Sequence, residues 1–229
     1  MDTARAGRSL EEKLGAGREL LAGILSEYGP GRVAVAWTGG KDSTLVLHLW
    51  RSLLMERGLG SPLVVNLDTG VKFPEIIAFR DKWAEAWSLR LNIARPENVS
   101  IPIAEDPVAC CRARKVEPLR RAVEKLDVAA LLTGIRADEH PDRGARPQRE
   151  EHHHPEHRRI HPILEFTEMD VWAATVNEHI PWCELYGRGY RSFGCVPCTA
   201  LPAEGSSERG GRSGKKEALM PSLTAMGYF

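Results

Sequence analysis

No apolar stretch in this 229-residue chain approaches the roughly 18 residues needed to cross a bilayer. Short runs such as Val33–Trp37 and Val128–Leu132 suit buried strands instead. Met1–Gly17 is charged and has no apolar core of the kind a signal peptide carries. There is no excess of one charge, because 31 basic residues balance 31 acidic ones. That balance argues against a general nucleic-acid coat protein but leaves a local basic groove open. An even set of cysteines is also missing: the five are Cys110, Cys111, Cys183, Cys195 and Cys198. An odd count without a secretion signal favours metal or redox use over a disulfide framework. No internal repeat is evident. These absences leave a soluble, cytoplasmic protein as the expectation, with 42% hydrophobic residues to build its core.

What is present alternates between the strand and helix periods. Ser9–Tyr28 places Leu10, Leu14, Leu21, Ile24 and Leu25 at helical spacing, and Gly29-Pro30-Gly31 stops it. Val33–Trp37, Leu63–Leu67, Leu89–Ala94 and Val128–Ile135 are predicted strands, with helices over Ser43–Arg57, Pro74–Ser88 and within Pro107–Leu126. Thr167–His179 is predicted to be a helix opened by a Thr167/Asp170 capping box. Strands that alternate with helices predict an α/β fold: a doubly wound, mostly parallel sheet flanked by helices, with a C-terminal cysteine-containing extension. The expected units are an N-terminal helix (1–30), a nucleotide-binding α/β domain (31–182) and a C-x-x-C segment with a flexible tail (183–229). Gly134–His161 reads as a long polar segment holding six of the eight histidines, a solvated loop in preference to a metal site. The tail from Ala203, rich in Gly, Ser and charge, reads as a lid or a disordered end.

Trp37-Thr38-Gly39-Gly40-Lys41-Asp42-Ser43 lies between a buried strand and an apolar helix. Glycines there admit an anion close to the backbone, the helix start offers free amides, and Lys41 adds a full charge. The spacing is not that of a Walker loop. The stretch resembles the S-G-G-K-D-S pyrophosphate loop of the adenine-nucleotide α-hydrolase superfamily, with Thr38 replacing the first serine. Asp68-Thr69-Gly70-Val71-Lys72-Phe73-Pro74-Glu75 resembles a second-strand motif shared by phosphoadenylyl-sulfate (PAPS) reductases and the small subunit of sulfate adenylyltransferase. Thr133-Gly134-Ile135-Arg136 resembles the fourth-strand exit, whose arginine contacts the anionic part of the ligand. By that resemblance Lys41, Asp42 and Arg136 are the catalytic candidates, with Arg143 and Arg146 secondary. Thr38, Gly39, Gly40, Ser43, Asp68, Lys72 and Gly134 are then the nucleotide-binding candidates.

Cys110-Cys111 and Cys195-x-x-Cys198 together supply four thiolates. Adjacent cysteines are awkward ligands for one tetrahedral zinc, whereas each corner of an iron–sulfur cubane takes its own thiolate. The pattern resembles the CC-x-x-RK-x-x-PL and C-x-x-C set that holds a [4Fe-4S] cluster in assimilatory adenylyl-sulfate reductases. Cys183 has no partner by spacing and reads as a small buried residue. The reductases also resemble one another in a nucleophilic cysteine near the C-terminus, and no cysteine follows Cys198 here. Ser207–Arg212 and Met226–Phe229 resemble the closing segment of the adenylyltransferase subunit instead. The expectation from these resemblances is a sulfate adenylyltransferase-like enzyme that cleaves ATP between its α and β phosphates. It would use ATP, Mg²⁺ and a small oxyanion, sulfate favoured, together with a [4Fe-4S] cluster. The alternatives are a [4Fe-4S] adenylyl-sulfate or PAPS reductase, an ATP pyrophosphatase of DNA or tRNA sulfur modification, and a non-catalytic nucleotide-sensing subunit. A GTPase or sulfur-transfer partner and a homo-oligomer are the expected associations, with no membrane contact and nucleic acid left open.

Overall fold

Four short strands lie adjacent and parallel; Val33–Ala36, Leu63–Leu67 and Ala130–Leu132 are buried throughout, whereas Arg90–Ala94, at the sheet edge, is only partly covered. The structure, a computed structural model, describes residues 7–97 and 100–228. The first six residues of the expected N-terminal unit and the terminal Phe229 lie outside it. The sheet has six strands in the order β3-β2-β1-β4-β6-β5. These are β1 (Val33–Ala36), β2 (Leu63–Leu67), β3 (Arg90–Ala94), β4 (Ala130–Leu132), β5 (Arg149–His153) and β6 (Glu156–Ile160). All pairings are parallel except β5 with β6.

Helix α1 (Leu10–Tyr28) starts at a Ser9/Glu12 capping box, and α2 (Lys41–Glu56) leaves directly from the β1 loop. Next comes α3 (Pro74–Ala86), its proline in the first turn where no amide donor is lost. One side of the sheet is packed by α1, α2 and α3 through Leu21, Ile24, Leu45, Leu49, Trp50, Ile76 and Phe79. The other side meets Leu119, Ala122 and Val123. These belong to a run made of α4 (Pro107–Cys111), a π-helical segment (Arg112–Val116) and α5 (Glu117–Lys125). The short α6 (Pro141–Gly144) precedes the hairpin, and α7 (Glu168–Asn177) begins at the expected Thr167/Asp170 box. Two short helices, α8 (Gly214–Glu217) and α9 (Met220–Ala225), close the chain. Among the described residues no helix is long and apolar enough to cross a membrane.

Two expectations need correction. The polar segment 134–161 is not all loop: it contains the β5–β6 hairpin, and β6 extends the sheet beside β4. Arg-Glu-Glu-His-His is an edge strand with alternating exposure, so its sequence carries charge where a central strand carries aliphatics. The tail beyond Ala203 is not a disordered end either. Glu208, Arg209, Arg212 and Lys216 are all buried, and the segment covers the carboxyl edge of the sheet.

Candidate active site

Parallel α/β sheets present their ligands with the loops that leave the carboxyl ends of the strands. Here β1 exits into Trp37 and Thr38, and the Trp37 carbonyl accepts from Asn66 Nδ2 at 2.7 Å. Gly39 turns the chain at φ +84°, and a Cβ there would press to 3.2 Å from Ile76. Gly40 then caps α2 without a side chain. Across from it, Gly134 follows β4 so closely that a Cβ would fall 2.5 Å from the Ser43 amide nitrogen. The β4 exit therefore packs directly on the first turn of α2.

Lys41 and Asp42 stand at that turn, and Lys41 is only 2% exposed. Lys41 Nζ donates to Asp42 at 3.1 Å and, by a short contact, to Glu208. Burial works against the ammonium, but Asp42, Tyr186 and Glu208 outweigh it and hold the lysine charged. Arg136 is fully buried and donates to Asp42 at 2.6 Å, to Glu208 at 2.5 Å and to Asp138. Its guanidinium is thus engaged by three carboxylates. Burial disfavours the Asp42 carboxylate, yet Lys41 and Arg136 prevail and pull its pKa below the usual range. Asp42, Glu139 and Glu208 each place an oxygen within 4.8 Å of the others. Lys41, Arg136, Arg143 and Arg209 pair with these carboxylates, so the cluster is not bare negative charge.

Thr38 and Ser43 bond one another, with the Thr38 amide donating to Ser43 Oγ at 3.2 Å. Asp68 accepts from the Gly70 amide and from Arg95, each at 3.1 Å. Lys72 forms an isolated bridge with Cys195. Burial, followed by repulsion from Lys115, lowers Lys72 to about 8. One cavity is lined by residues of the glycine loop, by Gly134, and by Lys72, Lys115, Arg143, Arg191, Arg209 and Arg212. It is an anion-binding chamber by composition.

The cysteines adjoin it through its lining: Thr69 lies against Cys195 and Lys72 bridges to it. Asp106 caps α4 through bonds to the Val108 and Ala109 amides, and Cys110 and Cys111 are the last two residues of that helix. The π segment that follows brings Lys115 to the cavity, an instance of a widened turn at a functional edge. Cys195 Sγ lies 3.3 Å from Thr69 Oγ1, and the Cys198 amide bonds the Cys195 carbonyl at 2.9 Å. Cys198 feels the charges of both Cys195 and Cys111, so the two cysteine segments converge. Burial would raise the Cys195 thiol, but Lys115, Thr69 and Lys72 lower it. Lys216 donates to Tyr228 Oη at 2.6 Å beside Cys111, Met220 and Leu223. Among the described residues, no three cysteine sulfurs come within 4.8 Å of one another, the tight set that one tetrahedral zinc draws together. The donors are all sulfur, nearly all buried, and ringed by cations that would offset an anionic cluster. They fit an iron–sulfur group.

The sequence alone places Tyr186 in a lid or a core turn, and Glu208, Arg209 and Tyr228 only in a resembling closing segment, and names none of them among the site residues. Their signal is faint: Ser-Glu-Arg-Gly-Gly-Arg has no helical or strand period and reaches Lys41 only through the fold.

Fold and site define an α/β protein of adenine-nucleotide α-hydrolase-like fold, with a glycine–lysine loop and four cysteines nearby. Residues 32–201 match the phosphoadenosine phosphosulfate reductase domain, and the chain belongs to that family. It is 33% identical to an adenosine 5'-phosphosulfate reductase of Geobacillus kaustophilus, over 85% of this chain and 83% of that one. A Burkholderia cepacia protein of the same name is 29% identical over 93% and 88%. The match to the Deinococcus radiodurans reductase is 36% identical and spans 61% of that protein. The fold is also that of a Candida auris PAPS reductase, with TM-score 0.66, 21% identity and coverage of 83% and 96%. A Candida glabrata FMN adenylyltransferase gives TM-score 0.71 at 20% identity, covering 85% of this chain and 66% of its own. The relatives named adenosine 5'-phosphosulfate reductase overturn the expectation of a sulfate adenylyltransferase and of a nucleotidyltransferase class. The geometry gives the physical reason. The loop lysine that would hold departing pyrophosphate is already paired with Glu208.

Proposed function

We propose that the chain is an iron–sulfur reductase of adenylyl sulfate. One observation supports this reading: the basic cavity that holds the phosphate loop is also lined by Thr69 and Lys72, which contact Cys195, and by Lys115, whose charge acts on the Cys195 thiol. The relatives named adenosine 5'-phosphosulfate reductase support the same substrate. In this reading the residues from Thr38 to Ser43 and Gly134 receive the adenylyl phosphate, while Lys72, Lys115 and Arg212 neutralise the sulfo group. Cys110, Cys111, Cys195 and Cys198 would hold a [4Fe-4S] cluster, which when bound supplies a polarising metal–sulfur centre beside the ligand.

Reduction needs two electrons, and a dithiol provides them. A thiolate attacks the sulfur of adenylyl sulfate, the S–O bond to phosphate breaks, and AMP leaves. A second thiol attacks the thiosulfonate so formed, releasing sulfite and leaving a disulfide. Four of the five cysteines form the cluster set. Cys183 is 1% exposed, with its thiol pushed up by burial. The attacking dithiol is therefore assigned to a separate reductant of the thioredoxin type. The cavity's cations stabilise charge on the departing AMP and sulfite oxygens.

The test is anaerobic purification with iron and acid-labile sulfide analysis, followed by sulfite release from adenylyl sulfate with reduced thioredoxin. Brown protein carrying about four irons and releasing sulfite is expected. Iron-free protein that binds no adenylyl sulfate defeats the reading.

A further inference from the structure

The phosphate loop of this chain is complete in sequence, yet in the fold the protein's own oxygens engage it. Glu208 places one carboxylate oxygen on Lys41 Nζ and the other on Arg136 Nη2, spanning two cations as the oxygens of a diphosphate would. Tyr186 Oη accepts from the Lys41 amide at 2.7 Å, taking one of the donors at the helix start. Thr38 Oγ1 lies 3.4 Å from the Gly40 amide, and Ser43 Oγ returns to the Gly40 carbonyl at 3.0 Å. Glu208 itself is 8% exposed.

The segment carrying Glu208 is fixed, not trailing. Arg209 grips Glu217 with two bonds of 2.7 and 2.8 Å, and Thr199 bridges Arg212. Gly211 lies so near the Ala200 carbonyl that a Cβ would approach to 2.2 Å. A diphosphate entering the loop would have to break both ion pairs of Glu208 and lift this strap.

We propose that Glu208 is a built-in anion occupying the diphosphate position of the loop, so that the site accepts adenosine nucleotides whose α-phosphate carries at most one further oxyanion and rejects those carrying a diphosphate there. The proposal rests on the reading of the ligand as an adenylyl compound. It also accounts for a lysine-bearing loop in a protein whose substrate would bring no pyrophosphate.

The test is titration calorimetry of AMP, ATP and inorganic pyrophosphate against the full chain and its Glu208→Ala and Glu208→Gln variants. Removing the carboxylate is expected to tighten pyrophosphate and ATP binding by about tenfold or more, with AMP affinity changed less than about threefold. Thermal melting gives an independent readout: pyrophosphate should raise the Tm of the variants and leave the wild type unmoved. If Glu208→Ala fails to fold, Glu208→Gln keeps the shape while removing the charge. Wild-type protein that binds pyrophosphate as tightly as a folded variant overturns the proposal. So does a folded variant with no gain. A gain for pyrophosphate without AMP binding in any form sinks the adenylyl reading while the plug stands.

Discussion

Arg136 and His157 show two ways a buried basic group is tolerated. Arg136 keeps its charge because Asp42, Asp138 and Glu208 surround it. His157 is 7% exposed; it sits on Arg159's side of the sheet, stacks on His152 at 5.0 Å, and has only the Pro155 carbonyl as a bonded partner. Burial lowers its pKa from 6.5 to about 4. Between those values an unfolded chain takes up a proton that the folded chain refuses, so stability should fall as pH drops through that window. The loss should reach roughly 2–3 kcal/mol by pH 4, and urea unfolding at pH 7, 6 and 5 measures its onset. His161, also lowered by burial, adds to the slope. In His157→Gln the slope above pH 4.5 should shrink by about half; an unchanged slope would assign it elsewhere. At this scale Lys41 and Asp42 were legible because they sit inside one short motif. Glu208 was not, because its partner lies 167 residues away and long-range pairing leaves no periodic trace.

Among elements, the most exacting contact is between the β4 exit and the first turn of α2. A methyl at Gly134 would meet the Ser43 amide at 2.5 Å and the Asp42 carbonyl carbon at 2.7 Å, both backbone atoms that cannot rotate away. Gly134→Ala should therefore cost about 1–3 kcal/mol and weaken AMP binding at least about tenfold, as calorimetry and thermal melting would show. A variant with wild-type affinity would mean that the loop and β4 move independently. The parallel core was readable because β1, β2 and β4 are continuous apolar runs, which only double-sided burial explains. The β5–β6 hairpin was hidden because Arg149–His153 and Glu156–Ile160 carry polar residues at the sheet edge.

In the whole molecule, the glycine–lysine loop and the cysteines are built from different segments, joined by Thr69 and Lys72, which line the cavity and contact Cys195. The loop rests on the sheet and α2, whereas Cys195 and Cys198 sit just before the covering segment, to which Thr199 bridges through Arg212. On the proposed reading, oxidative loss of a [4Fe-4S] cluster should lower sulfite release by about tenfold or more while AMP binding stays within about threefold. Parallel loss of both would show that the cysteines also shape the loop. The covering segment read as a lid or a loose tail because glycine, serine and charge dominate its composition. Burial of Lys216 and Tyr228 against Cys111 and Lys115 is a property of the assembled chain.

The counter-ion of Lys41 arrives late in the order of synthesis. Any fragment that stops short of residue 208 leaves two enclosed cations, Lys41 and Arg136, without the carboxylate that spans them.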